Sequence, residues 1–261
     1  MKKFSLANTI LHIFLIFVSS VFLFPVIVMV RISFQNGGIN NYIVPLSQPW
    51  VATAFLNSAI ITIPTVVLVI FIASLTGFAL SKLNIKGKNV IFPIFLLGLM
   101  LPVAAIIVQL FLLIIKLGLI NNHLSVILPV VSLTMPFGLL VLKNYMDDIP
   151  NDLVEAAVID GCRPFRIYYQ IIVPLTMPAI AAVVIFTFLN AWNEFLMPLV
   201  FLRKQAMLPV TKLPTMFMGE FARNYHMFFA SFVGIILPVA LMYAFLQKYF
   251  IKGLTAGAIK Q

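Results

Sequence analysis

Acidic residues are scarce in this 261-residue chain: seven in all, against seventeen lysines and arginines, for a formal charge of +10. Charged side chains of either sign make up only 9% of residues, where soluble domains carry about a quarter, and apolar residues reach 62%. So little polar side chain cannot coat a water-facing globule, and lipid is the expected solvent for much of the surface. A single cysteine, Cys162, excludes an internal disulfide. The three histidines, His12, His123 and His226, lie far apart and lack the spacing of metal ligands. The chain has no Gly-x-x-x-x-Gly-Lys-Ser/Thr phosphate loop, no Ser/His/Asp set and no carboxylate pair in a suitable setting. Hydrolysis of ATP by this chain alone is therefore not expected.

What is present is long apolar runs. A spanning helix needs roughly 20 apolar residues, and uncharged windows of that kind fall at approximately 11–30, 57–80, 90–115, 124–142, 179–201 and 229–247. The ten-residue alternation of a membrane barrel is absent, so the expected fold class is all-α integral membrane, with about six transmembrane helices. The N-terminus, Lys2 and Lys3 before an apolar run, resembles a signal peptide. No small-x-small cleavage site follows and the run continues through Pro25 to Val30, so it is expected to be a retained first span.

The basic residues sit at the ends of apolar runs and form no continuous patch, which argues for membrane orientation over nucleic-acid binding. With the N-terminus placed in the cytoplasm, eleven of the seventeen fall on the inner side, among them Lys82, Lys86, Lys88, Lys143, Arg163 and Arg166. The first outer loop, 33–56, carries no charge. Six spans then put both termini in the cytoplasm of a multi-pass protein of the cell membrane. Prolines fall inside nearly every span: Pro25, Pro64, Pro102, Pro129, Pro136, Pro198 and Pro238. Each removes a backbone donor and tends to kink its helix, although membrane helices tolerate proline.

The most unusual stretch joins the fourth and fifth spans. It holds Asp147, Asp148, Asp152, Glu155 and Asp160, five of the seven acidic residues. So acidic a loop in a basic protein marks a specific partner surface. The pattern predicts a helix started by Pro150 in its first turn, with Asp147 and Asp148 capping the free amides. Asp152 suits the positive end of that helix. Ile149, Leu153, Ala156 and Ala157 form an apolar stripe at helical spacing, with Glu155 on another face. Asp160-Gly161 stops the helix, glycine accepting the left-handed conformation. Arg163-Pro164-Phe165 then starts a second short helix running toward Pro174 and Pro178.

Glu155-Ala156-Ala157, three residues, Gly161, nine residues, Ile171, one residue, then Val173-Pro174 resembles the EAA loop of binding-protein-dependent ABC importer permeases. Two positions depart from that pattern: Val173 stands where leucine is usual, and Cys162 where a small residue is. Other segments agree. Asn57-Ser58 through Thr76-Gly77-Phe78-Ala79-Leu80-Ser81-Lys82 is similar to the start of the shared five-helix core. Leu117-Gly118-Leu119-Ile120-Asn121-Asn122 is similar to its outer loop. Ala191-Trp192-Asn193-Glu194-Phe195 resembles span five of the carbohydrate-uptake branch, and Gln247-Lys248-Tyr249-Phe250 with 253–258 resembles the end of the maltose-type, MalG-like subunit.

The resemblance implies the type I ABC importer permease fold and one transmembrane domain. Its parts would be a first span and outer loop (1–52), a five-helix core (53–250) with a cytoplasmic coupling loop (147–178), and a cytoplasmic tail (251–261). It implies coupling to an ATPase through Glu155, Ala156, Ala157, Asp160, Gly161, Ile171 and Pro174. The implied partners are a second homologous permease, an ABC ATPase dimer, an extracytoplasmic solute-binding protein, a sugar substrate and membrane lipid. ATP and magnesium would be used by the ATPase, with no cofactor in this chain. In the family the loop 203–226 meets the binding protein, and Met216, Phe217, Met218 and Phe221 suit such a contact; an interfacial helix resting on lipid is the other reading. The intramembrane carboxylate Glu194, with Asn190 and Asn193, is a candidate for the translocation path or for a lock between helices. A secondary carrier or channel also explains the spans and prolines but leaves the acidic loop unexplained.

Overall fold

The computed structural model describes the backbone of residues 6–220 and 225–258, and the side chains of 9–216, 225–245 and 247. Every long apolar run is helical, because only a helix satisfies its own backbone donors and acceptors in hydrocarbon. The elements are α1 (Leu6–Ser33), α2 (Asn40–Leu46), α3 (Pro49–Lys82), α4 (Lys88–Leu97), α5 (Val103–Lys116) and α6 (Leu124–Asp147). There follow α7 (Asn151–Ile159), α8 (Pro164–Ile167), α9 (Val173–Trp192), α10 (Leu196–Phe201), α11 (Leu213–Glu220) and α12 (Tyr225–Ala258).

Among the described residues, five helical stretches are long and apolar enough to cross a membrane, and six if α4 and α5 count as one broken span. The third window, expected as one helix over 90–115, is instead two helices meeting at 99°. The cause lies in the sequence. Pro102 offers no amide, and its ring pushes the preceding residue out of the helical region. Leu101 accordingly sits at φ −84°, ψ 108°. Pro25, Pro64, Pro129, Pro136 and Pro238 stay inside unbroken helices.

Two compact units are present: Met1–Ala52 with Leu213–Leu237, and Thr53–Lys212 with Pro238–Gln261. In the first, His226 ties helix ends together. Its Nδ1 lies 2.9 Å from the Ile32 carbonyl and its Nε2 3.1 Å from Asn36 Nδ2. Asn41 donates to the Ser33 and Gln35 carbonyls.

The second unit is built around α6, whose most apolar window is 61% buried, against none for α1. Leu139 and Leu142 of α6, Val183 of α9, and Val69 and Ala73 of α3 are wholly enclosed. Burying a leucine contributes about 2 kcal/mol against water. Within a bilayer that gain shrinks, and close packing carries more of the cohesion. Gly98, at the bend between α4 and α5, allows one such approach: a Cβ there would meet Pro136 Cγ at 2.9 Å.

Candidate functional site in a bent segment and a membrane cleft

The acidic loop folds into a bent helical pair. Its first leg does not start as the sequence predicts. Asp147 ends α6 and pairs with Lys143 one turn earlier, Nζ to Oδ2 2.5 Å. Asp148 caps the C-terminus of α6, and Pro150 is the N-cap of α7 rather than a residue of its first turn. Asp147 is therefore spent on the preceding helix, whose last turn already offered a lysine at the right spacing. The loop is instead fixed from α3. Lys82 Nζ donates to the Ile149 carbonyl at 2.5 Å and to Asn151 Oδ1 at 2.9 Å.

The predicted apolar stripe is split. Ile149 and Ala157 are buried, at 7% and 6% exposure, and Val154 packs with them. Leu153 and Ala156 face out. At 100° per residue, Asp152, Glu155, Ala156 and Ile159 share the opposite face, and all four are exposed. Of the two motif alanines, Ala156 is open to a partner and Ala157 is taken up by packing of α7 on its own body. The outer face continues into Val158, Phe165 and Tyr169, all exposed. Ile159 is 85% exposed. An apolar patch rimmed by acids, on a water-facing loop, is the composition of a protein interface.

The bend is a Schellman closure. The Cys162 amide reaches the Ala157 carbonyl at 2.9 Å, and the Gly161 amide the Val158 carbonyl at 3.0 Å. Asp160 is the C-cap and Gly161 takes φ +77°. Beyond it, α8 starts with Arg163 as its N-cap and Pro164 in its first turn. The second short helix does not stop. It passes through a π-helical turn, Tyr168–Ile172, directly into α9. Proline 174 lacks an amide, which removes a rung of the α ladder where the wider turn sits. The leg is anchored by Tyr168, whose hydroxyl lies 2.6 Å from Ser74 Oγ and whose ring meets Phe78. Ile171 is half-buried against the core and Pro174 is exposed. Lys82 and Tyr168 were not singled out for this role; the visible signal was a lone lysine at a span end and a tyrosine in an apolar run.

The other candidates sit elsewhere. α9 ends at Trp192, and residues 193–195 break the helix before α10. Glu194 caps the new helix: its Oε1 accepts the Met197 amide at 2.9 Å, and its carbonyl accepts the Thr211 hydroxyl at 2.9 Å. Asn190 donates to the Phe186 carbonyl at 2.8 Å. Asn190 and Glu194 line one open cleft with Thr134, Phe137, Phe186 and the α4–α5 bend at Gly98 and Leu101. The Phe137 and Phe186 rings stack at 3.8 Å between centroids. Asn193 is exposed and does not line the cleft.

Glu194 thus both holds a helix start and faces the cleft. Glu194→Gln keeps a carbonyl acceptor for Met197 while removing the charge; Glu194→Ala leaves that amide unpaired, at about 1 kcal/mol. A path role is expected to cut uptake in both variants. A lock alone cuts it only in Glu194→Ala, and normal uptake and assembly in both removes Glu194 from either role.

At the same end of the unit, loop 201–212 is clamped by residues the resemblance had marked without a role. Asn121, at φ 57°, accepts the Arg203 and Lys204 amides at 2.7 and 3.0 Å. Asn57 donates to the Ala206 and Leu208 carbonyls, and Ser58 accepts the Val210 amide. His123 joins them through the Met207 backbone. Burial holds its pKa below the usual 6.5, against a smaller upward pull from that hydrogen bond. Its Nε2 is buried without a partner among the described residues, so protonation would strand an N–H there. A depressed histidine pKa gives stability that is complete above 6.5 and lost as pH falls through the lower folded value. The melting temperature is expected to drop between pH 7.5 and 5.5, and less so in His123→Asn. An equal drop in both rules this histidine out as the cause. Of the loop residues proposed for a partner, Met216 is described. The side chains of Phe217 and Met218, the whole of Phe221 and the side chains of 253–258 lie outside the described residues.

Comparison with known proteins gives one answer from sequence and fold. Residues 69–256 match the model of the family described as "binding-protein-dependent transport system inner membrane component". The arabinooligosaccharides transport system permease protein AraQ of Bacillus subtilis is 37% identical over 206 residues, covering 79% of this chain and 73% of that protein. The trehalose/maltose transport system permease protein MalG of Thermococcus litoralis is 33% identical over 277 residues, covering 100% and 99%. A chain of a bacterial ABC transporter that imports the acidic polysaccharide alginate superposes with a TM-score of 0.81 over 96% of this chain and all of its own length, at 23% identity.

Proposed function

Because this chain belongs to the family of inner membrane components of binding-protein-dependent transport systems, we propose that it is one permease subunit of an ATP-driven carbohydrate importer. It pairs with a second homologous permease, an ABC ATPase dimer and an extracytoplasmic solute-binding protein. The carbohydrate class is supported by the names of its relatives AraQ and MalG.

The observation that carries the coupling role is the outer face of α7, where Glu155, Ala156 and Ile159 stand exposed on a bent α7–α8 segment held by its own chain at the start of α7 and beyond α8. A segment fixed to α3 by Lys82 at one end and Tyr168 at the other transmits a push; a loose loop would absorb it. In this reading both termini and residues 147–178 are cytoplasmic. ATP and magnesium bind the ATPase subunits. Closure of the ATPase dimer carries α7 and α8 with it. Because α8 runs through the π turn into α9 without a break, that displacement reaches the cleft at Asn190 and Glu194. Solute released by the binding protein then enters a cavity shared with the second permease.

The test is co-purification from mild detergent through a tag on this chain. It is expected to bring down a second permease and an ATPase whose hydrolysis rises with sugar-loaded binding protein. Solute flux in proteoliposomes without any ATPase overturns the reading.

A further inference from the structure

A second cleft, of about 410 Å³, opens where three span ends meet: Leu80 and Ser81 of α3, Lys88, Asn89, Phe92 and Pro93 of α4, and Lys143 and Asp147 of α6. Its polar side is cationic. Lys143 lies 4.7 Å over the Phe92 ring and is already paired with Asp147. Lys88 is half-buried, and its ammonium makes no hydrogen bond or ion pair among the described residues. Lysine 88 is therefore the charge left over once Lys143 and Asp147 cancel. The Ser81 hydroxyl is buried and also without a partner. The other side of the cleft, Leu80, Phe92 and Pro93, is apolar.

We propose that this cleft binds the phosphate headgroup of an anionic phospholipid, with Lys88, Lys143 and Ser81 around the phosphate. A phosphate supplies the negative charge that Lys88 lacks and an acceptor for the orphan hydroxyl. The apolar wall at the end of three spans sets the site at headgroup depth, where basic pockets between membrane helices hold such lipids. Lipid is favoured over a soluble phosphate because Leu80, Phe92 and Pro93 give the cleft an apolar wall at the ends of three spans, where the acyl chains of a bound headgroup continue into hydrocarbon. The site depends on no assumption about the transported solute. It sits one ion pair from the coupling loop, since Asp147, which Lys143 holds, ends α6 immediately before that loop.

The assembled complex, purified through a tag on this chain in phosphatidylcholine nanodiscs, is titrated with phosphatidylglycerol and the retained lipid read by native mass spectrometry. Wild type is expected to retain phosphatidylglycerol, and Lys88→Gln to weaken that retention about fivefold, the worth of one lysine at a membrane surface. Lys88→Arg is expected to restore it. Asn89→Asp, which sets a carboxylate at the mouth, is expected to weaken it as an independent arm should Lys88→Gln fail to assemble. The neighbouring exposed Lys86→Gln is expected to leave it unchanged. Undiminished retention in Lys88→Gln or Asn89→Asp overturns the proposal. So does an equal loss in Lys86→Gln, which marks diffuse surface charge, or equal occupancy by glycerol 1-phosphate, which marks a soluble phosphate.

Discussion

Glu155→Lys is expected to strip the ATPase from the purified complex and abolish uptake while leaving the chain folded. The carboxylate is exposed and reaches no partner among the described residues, so its reversal removes no contact seen to stabilise the fold. Its neighbours on the outer face are Asp152, Ala156 and Ile159. That face suits a cleft with an apolar floor and a cationic rim. Removing one partner of a buried, hydrogen-bonded charge pair costs about 2–5 kcal/mol, or thirtyfold and more in affinity. Reversal adds repulsion to that loss. The measurement is the ATPase-to-permease ratio after affinity purification, with thermal unfolding as the control for folding. An undiminished ratio in a normally folded variant removes α7 as the docking element. Glu155→Gln is expected to fall between, because it keeps an acceptor without the charge.

Gly161→Val is expected to separate ATP hydrolysis from uptake. At φ +77° a residue bearing a Cβ is strained, by roughly 1–2 kcal/mol for an ordinary L-residue and more for a β-branched one. Among the described residues, no heavy atom beyond its chain neighbours lies within 4 Å of where that Cβ would stand. The cost is thus purely conformational, and it is relieved only by opening the Schellman closure between α7 and α8. The docking face survives this, since it lies wholly on α7. The angle at which the push is handed to α8 does not. Sugar moved per ATP in proteoliposomes is expected to fall about tenfold or more, with the ATPase still bound. Gly161→Asn is expected to retain most of the coupling, because asparagine tolerates the left-handed region. Wild-type transport in Gly161→Val would leave the bend without a mechanical role. The two substitutions are complementary: one removes attachment and keeps the lever's shape, the other keeps attachment and changes the shape.

Several features of the segment were legible in the residues themselves. The stop at Asp160-Gly161 was, because glycine at that point has one dominant use. The restart at Arg163-Pro164 was as well. The start was not, since Asp147 had two competing partners, the free amides ahead and Lys143 behind. Nothing local decides between a cap and an i,i+4 ion pair of similar worth. Likewise the stripe through Leu153, Ala156 and Ala157 is continuous in sequence, but α7 shows the body only its Val154 and Ala157 side. Which side of a short, mostly apolar helix turns inward depends on where α3 places Lys82 and on the depth of the core, and neither is encoded in nine residues.

The amino-acid sequence determined by itself that this chain lives in lipid, that its backbone is helical, which loop stands apart, and to which family it belongs. Those properties follow from composition, from run length against membrane thickness, and from local stereochemistry at glycine and proline, all of which act over a few residues. Tertiary structure alone decided that Glu194 faces a cleft while capping α10, that Asn57 and Asn121 clamp a distant loop, and that Lys88 is the unpaired cation of another cleft. Each of these brings together residues from separate helices. Within a bilayer, where apolar side chains gain little from choosing protein over lipid, such encounters are set by close packing and by polar groups seeking partners across the whole fold.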